Sequence, residues 1–552
     1  MFVTIIFNTE YAGYDSRMMW YMKTLFHSKQ NNWIIITHEY IKNHFSELQD
    51  NLTDRFFQQF EMRRFTLDEV AGVEQYFIPD ELFERHERDL GSRTAYLWDL
   101  TENSFPVLES YLEDIILKIR EKHPDDIIEG IFHNLESIQP VRNIGNKYGI
   151  PIIPYSFSAM RMTNGYRQTL YHAHLSGSYV NDDEVELRLS KFLNEKRSNI
   201  PFLTNEEIIA FIGKERTLPL IALINSKPQY ELGVCCECFS VIPQYFIGSK
   251  YTDDDAFVEA YKLYGRNQIK VRSHAYQLDT IQVDRSEVHN DPASFILSCK
   301  RLTSVRSTIS LKVMLWKRTA IMKKNILGFS FMCEKDYSSL ELVDNKALNF
   351  YIFGCLIPSD LMFSDEYWKW RLTYPSEFEI YMRHLEFLCK TLNIDKEKLM
   401  QLNGKGRFRF LLESRHCDEQ LIENLMSDEV VDNVNWDVAS SRFDIVSDLE
   451  TKSYWRIDTT NEDNDLTTNL AVDVKNAKTI MFYPLDDVAG FARLKAVYIN
   501  GKQQVLDETM TSFEYMPKTK GAYSFKLDNP YSGKLLVECI WEYKKVFEFL
   551  NN

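Results

Sequence analysis

Two short stretches carry the residue types best suited to chemistry on an anion. The first is Gln268-Ile-Lys-Val-Arg-Ser-His-Ala275, in which an apolar strand at Ile269 to Val271 delivers Arg272, Ser273 and His274 to its carboxyl end. The second is Ser304-Val-Arg-Ser-Thr-Ile-Ser-Leu-Lys-Val-Met-Leu-Trp316, read as a strand end, a tight turn holding Ser307 and Thr308, and an apolar helix that also contains Ser310. Guanidinium, imidazole and hydroxyl groups can all donate to phosphate oxygens. In an open α/β sheet, ligands bind in the crevice outside the carboxyl ends of the strands. The two stretches are therefore expected to form two walls of one phosphate or nucleotide pocket.

Such a pocket needs parallel strands to position it, and the chain supplies the pattern. Compact apolar runs at Phe2 to Phe7, Trp33 to Thr37, Ile127 to Phe132 and Ile150 to Pro154 alternate with helical stretches at Ser16 to Phe26, His38 to Asp50, Phe105 to Lys122 and Glu136 to Tyr148. Alternation of this kind predicts a parallel sheet covered by helices on both faces. A helical stretch from Asp182 to Gly213 leads to a second set: strands at Leu218 to Leu223 and Ile269, helices at Asp254 to Tyr264, Pro292 to Lys300 and Asn345 to Cys355, and a long helix ending near Leu392. Beyond Val430, short strands at Tyr454 to Asp458, Asn469 to Val474, Thr479 to Tyr483, Arg493 to Ile499, Phe513 to Tyr515, Gly521 to Leu527 and Gly533 to Trp541 predict an antiparallel β-sandwich. The expected domains are 1–213, 214–430 and 431–552.

Composition narrows the classes. A chain of 552 residues exceeds what one core usually organises, and 44% hydrophobic residues can fill several. A formal net charge of −16 opposes a broad nucleic-acid clamp but not a local anion site. Nine cysteines without regular spacing predict free thiols in a reducing compartment. Cys235-Cys236-x-Cys238 lacks a second Cys/His pair at zinc spacing, and Asp463-Asn-Asp465 lies in a polar run without a preceding strand, so no metal site is expected. Tyr367-Trp368-Trp370 reads as packing at a domain joint. Without a long apolar segment or a signal peptide, the expectation is a soluble cytoplasmic protein, compatible with peripheral contact at the inner face of the membrane.

Two facing Rossmann-like domains are the GT-B layout, and Ser304 to Ile321 resembles the "Ser-Ser-Thr, small-Leu-Glu-Ala-Leu, Gly-Lys-Pro" stretch of bacterial capsule and lipopolysaccharide glycosyltransferases, including Kdo transferases of the capsule type. Arg272-Ser-His-Ala275 resembles their "Arg-Pro-His-Pro" strand end. The resemblance covers roughly Leu218 to Leu392 and implies that His274 and the Ser307/Thr308 pair lie against the phosphates of a nucleotide-sugar donor. Lys312 stands where the family usually has Glu, and Lys317-Arg318-Thr319 replaces Gly-Lys-Pro. Phe482-Tyr-Pro-Leu-Asp-Asp487 resembles accessory β-sandwiches of polysaccharide transferases.

The implied function is metal-independent glycosyl transfer from a nucleotide sugar to a glycan or glycolipid acceptor in cell-surface polysaccharide assembly, with no cofactor beyond the donor. Arg272, Ser273, His274, Ser307, Thr308 and Ser310 are expected on the donor side, where they would stabilise charge developing on the leaving phosphate. An acceptor hydroxyl also needs a base. Glu136 and His133, after the strand ending at Phe132, are the first candidates, and Glu10, after the first strand, is the third. A non-catalytic carbohydrate-binding or assembly protein with a degenerate transferase fold is the alternative reading, and an epimerase acting on a nucleotide sugar is the third.

Overall fold

The computed structural model describes residues 1–7, 13–28, 33–50, 57, 63–90, 99–100, 103–134, 138–161, 169–173, 175, 182–195, 201–213, 215–236, 253–272, 292–305, 307–323, 328–427, 466–482, 491–499, 502–504 and 523–542. Its first sheet contains β1 (Phe2–Ile6), β2 (Trp33–His38), β3 (Gln75–Ile78), β4 (Gly130–Asn134), β5 (Ile152–Arg161) and β6 (Thr169–Ala173). Phe2 and Ile6 enter one core, while Val3 and Ile5 enter another on the opposite face. Trp33 and Ile35 divide from Ile34 and Ile36 in the same way. A strand covered on both faces has no polar side, which is why these strands read as unbroken apolar runs.

β3, β2, β1, β4 and β5 are parallel in that spatial order, and β6 is antiparallel to β5. A second sheet holds β7 (Tyr230–Cys235), β8 (Ile269–Arg272), β9 (Cys299–Ser304) and β10 (Thr319–Ile321), all parallel in the order β10-β9-β7-β8. The expected strand at Leu218 to Leu223 is instead a tight helical segment, Glu215–Leu223. Pro219 lies inside it, and a proline lacks the N–H that a central strand must donate. The strand is Tyr230–Cys235, with Gly233 at its centre. A Cβ on Gly233 would meet Leu302 Cγ at 2.9 Å and Cys299 Sγ at 3.0 Å. Glycine therefore sits where β7 packs most tightly, and it weakens the strand signal in the sequence.

The two lobes interlock. Helices Asp182–Asn194 and Asn205–Ile212 contribute Val185, Phe192 and Ile208 to the same core as Leu302 and Leu311, so one apolar core draws on residues from both sides of position 213. The expected helix over Asn345 to Cys355 is α-helical to Phe350 and then widens into a π turn, Tyr351–Cys355. The chain next returns to the first sheet, where β11 (Ile357–Pro358) pairs with β6 as an edge strand. Phe363, Tyr367 and Trp368 follow into the core beneath β1 and β4, and Trp368 meets the Phe132 ring edge-on at 5.0 Å. This bears out the reading of that aromatic stripe as joint packing.

The C-terminal strands are longer than expected. β12 (Leu466–Phe482), β13 (Phe491–Ile499), β14 (Lys502–Gln504) and β15 (Tyr523–Glu542) form one antiparallel sheet in the order β12-β15-β13-β14. The expected strands Asn469 to Val474 and Thr479 to Tyr483 merge into β12 as far as Phe482, where the described residues end, and Asn529-Pro530 sits within β15 instead of ending it. The register slips opposite that proline, between Ala477 and Thr479, where a missing N–H costs no ladder bond. No second sheet that would complete a sandwich is among the described residues. Tyr454 to Asp458 and Phe513 to Tyr515 lie outside them. No helix among the described residues is long and apolar enough to cross a membrane.

Candidate functional site

The second sheet brings three strand ends into one row. Cys235, the last residue of β7, is level with Arg272 at the end of β8 on one side and with Ser304 at the end of β9 on the other. The Cys236 amide donates to the Arg272 carbonyl at 2.9 Å, which ties the β7 exit to β8. Arg272 is half-buried. Ser273 and His274, which follow it, lie outside the described residues.

On the other side, β9 passes through the turn to the helix Ile309–Leu315. The Ser307 carbonyl accepts from the Ser310 amide at 3.1 Å, and the Ser307 hydroxyl accepts from the Ile309 amide at 3.4 Å. Ser307 and Thr308 are both half-buried. Ser310 is only 1% exposed, and its hydroxyl is hydrogen-bonded to Ser304 at 2.9 Å. The structure therefore gives Ser310 the job of fastening the turn to the strand end and leaves Arg272, Ser307 and Thr308 as the partly open groups. The helix beyond the turn lies against β5 of the first sheet, so the turn stands beside the other lobe.

The departures from the family pattern acquire structural roles. Lys317 has φ +53°, the left-handed conformation that glycine adopts most readily, and it follows directly on the C-cap of the helix Ile309–Leu315. Arg318 is buried and donates to the carbonyls of Ile224 at 2.9 Å, Leu297 at 3.2 Å and Ser226 at 3.4 Å. Burial pushes its guanidinium down to about 10. Its hydrogen bonds go to the turn after the helical segment Glu215–Leu223 and to the end of the helix Pro292–Ser298 rather than to the strand-end row.

The first sheet's carboxyl edge differs from expectation. His133 lies level with Ile5 on β1 and Pro154 on β5, is 0% exposed, and has its ring edge-on to Phe7 at 6.2 Å. Its imidazole is enclosed, as the packed interior of a doubly covered sheet requires. Glu136 and Glu10 lie outside the described residues. A pair absent from the sequence reading stands on the same edge: His38, at the end of β2, has Nδ1 3.5 Å from Asp80 Oδ1. His38 follows a strand as His274 does, which was its only sequence signal. The carboxylate arrives from beyond β3.

Among the described residues, no group of three His, Cys, Asp or Glu side chains could hold a metal ion. Cys235 and Cys236 are buried free thiols, and Cys238 lies outside the described residues.

No protein-family model matches the sequence, and no curated protein sequence matches it. Solved structures give distant likenesses. The beta-Kdo 2,4 transferase KpsC of Thermosulfurimonas dismutans aligns at 10% identity over 40% of this chain and 78% of that chain, with a TM-score of 0.28. The beta-Kdo 2,7 transferase of the same organism aligns at 11% identity over 42% of this chain and 78% of that chain, with a TM-score of 0.25. The UDP-GlcNAc 2-epimerase of Methanocaldococcus jannaschii, solved with UDP-GlcNAc and UDP, aligns at 11% identity over 60% of this chain and 86% of that chain, with a TM-score of 0.26.

Proposed function

We propose that the chain is a nucleotide-sugar-dependent glycosyltransferase of GT-B layout acting on a cell-surface glycan or glycolipid. The observation that carries the reading is the row Arg272, Cys235, Ser304 at the carboxyl edge of the second parallel sheet, continued by the half-buried Ser307-Thr308 turn beside β5. A guanidinium on one side and two hydroxyls on the other suit the oxygens of a sugar-bound phosphate. As the anomeric carbon–oxygen bond breaks, its electron pair moves onto the phosphate, and Arg272, Ser307 and Thr308, with Ser273 and His274 next in the chain, stabilise that charge. These groups stand in the role a metal would otherwise fill, so turnover is expected to persist in EDTA.

A thermal-shift series with CMP-, UDP-, GDP- and TDP-sugars tests the reading. One nucleotide class is expected to raise the melting temperature, and Arg272→Gln is expected to abolish most of that rise without lowering the melting temperature of the free protein. Nucleotide release during incubation with the same donor identifies turnover. Stabilisation by no donor would overturn the reading, whereas binding without release would favour the degenerate, non-catalytic form.

A further inference from the structure

The row of strand ends in the second sheet has a fourth member. β10 runs beside β9 with Ile321 level with Thr303, so the chain leaves β10 at the same carboxyl edge, one strand from the turn that holds Ser307 and Thr308. Lys323 stands two residues beyond Ile321. The exit is pinned beside it: the Met322 amide donates to the Glu334 carbonyl at 2.9 Å, and the Glu334 amide donates to the Ala320 carbonyl at 2.8 Å. The lysine therefore starts from a fixed backbone.

Its side chain is positioned but not sealed. The ammonium lies 4.4 Å from the centre of the Tyr337 ring, which is buried and anchored to β9 by a hydrogen bond from the Thr303 hydroxyl at 3.2 Å. Lys323 Nζ is also 3.3 Å from Glu259 Oε2, in a pair whose side chains keep 30% and 43% of their surface in solvent. Asp336 adds to the negative field, but its carboxylate is exposed and accepts from the Ser338 amide at 2.8 Å. An ion pair this open adds little to stability, so an incoming phosphate can draw the ammonium from Glu259 at small cost. The ring keeps the flexible lysine near the edge in the meantime.

The spacing of the row bears on what it can hold. In the order β10-β9-β7-β8, Lys323 and Arg272 close opposite ends, three strand spacings or about 14 Å apart. The hydroxyl turn after β9 lies between them in that order, about 5 Å from the β10 exit and about 10 Å from the β8 exit. A single phosphate at the turn would have to share both long side chains. Two linked phosphates give each cation its own oxygens.

We propose that Lys323 is a donor-binding residue that selects a nucleotide carrying a second phosphate; this rests on the transferase reading above. Arg272 neutralises one phosphate and Lys323 the other, with the Ser307 and Thr308 hydroxyls between. Glu259 and Tyr337 hold the ammonium in place until the donor arrives.

The test uses the full chain and matched mono- and diphosphates of cytidine, uridine, guanosine and thymidine, titrated by calorimetry. For the base that binds most tightly, the native chain is expected to favour the diphosphate at least about tenfold, the worth of one added charge-assisted contact. Lys323→Gln is expected to shrink that preference to about threefold or less, as loss of the contact requires. The same variant should keep its affinity for the monophosphate and the melting temperature of the free protein, and Lys323→Arg should retain the preference. Equal affinity of the native chain for the two nucleotides would overturn the proposal, a readout that needs no variant. So would a full preference in Lys323→Gln, or equal weakening of both nucleotides. A native chain that binds no nucleotide and is stabilised by no donor would instead remove the transferase reading, and this assignment with it.

Discussion

Polar groups gather at two places in this protein, and they are treated in opposite ways. At the lobe joint they are sealed. Arg188 donates to Glu377 through Nε at 3.0 Å and Nη2 at 2.9 Å, and to the Gly354 carbonyl at 3.0 Å. His384 is held between the Tyr367 hydroxyl at 2.7 Å and the Phe353 carbonyl at 2.8 Å, and His172 Nδ1 is hydrogen-bonded to the Tyr351 hydroxyl at 2.8 Å. At the carboxyl edge of the second sheet, Arg272, Ser307 and Thr308 stay half-buried. The lesson is that polar density does not mark a site, because a joint between lobes needs buried polar groups as much as a pocket does. What separates the two is burial: Arg188, His172 and His384 are buried, whereas Arg272, Ser307 and Thr308 are half-buried.

Breaking the sealed side should cost the most. Glu377→Ala leaves the Arg188 charge buried without its carboxylate, and an expected loss of about 3–5 kcal/mol in urea unfolding follows. Replacing both by apolar residues of similar volume should recover much of that loss, and neither change should alter donor binding by the folded protein. A loss below about 1 kcal/mol in the single variant would show that the joint is wetter than described.

Acid should also act on the sealed side first. Burial, with Arg371 nearby, lowers His384 to about 3, and burial, with Lys23 nearby, lowers His27 to about 3. In the unfolded chain each titrates near 6.5, so the unfolded state takes up protons that the folded state refuses. Their stabilising effect is complete above about pH 6.5 and is lost as pH falls from there toward about 3, at about 1.4 kcal/mol per unit for buried His384 and at less for half-buried His27, which water screens. Urea midpoints measured between pH 7 and pH 5 should fall, and His384→Gln should flatten the slope.

Smaller effects probe the open side. Ser304→Ala leaves the buried Ser310 hydroxyl without its partner, with an expected cost of about 1–3 kcal/mol and a weaker donor shift. Adding Ser310→Ala should restore stability, and donor affinity with it only if the pair serves the turn's shape alone. Lys317→Gly relieves a left-handed backbone but removes an ion pair with Glu206, so a gain of roughly 0.5 kcal/mol is expected from thermal unfolding.

Legibility followed the range of the interaction. The edges of β1 and β2 were readable to within a residue because a doubly buried strand must be apolar from end to end, and those of the edge strand β8 because Ile269 and Val271 alternate with Lys270 and Arg272. β7 escaped notice because Gly233 and the cysteines imitate a loop, and Leu218 to Leu223 imitated a strand despite Pro219. In the site, Arg272 and Ser304 were placed at strand ends from local pattern alone. Ser310 was read as a ligand group although its helical position turns it back onto Ser304, a direction that residue type does not encode.

The sequence by itself determined two runs of parallel strands, the polar residues at their exits and the aromatic stripe at Tyr367 to Trp370, since each is written in neighbouring residues. Tertiary structure decided that β11 returns to the first sheet, that His172 belongs to the joint, and that His38 meets Asp80. Those pairings join segments far apart in the chain, and a contact closed by folding leaves no periodicity in the residues between.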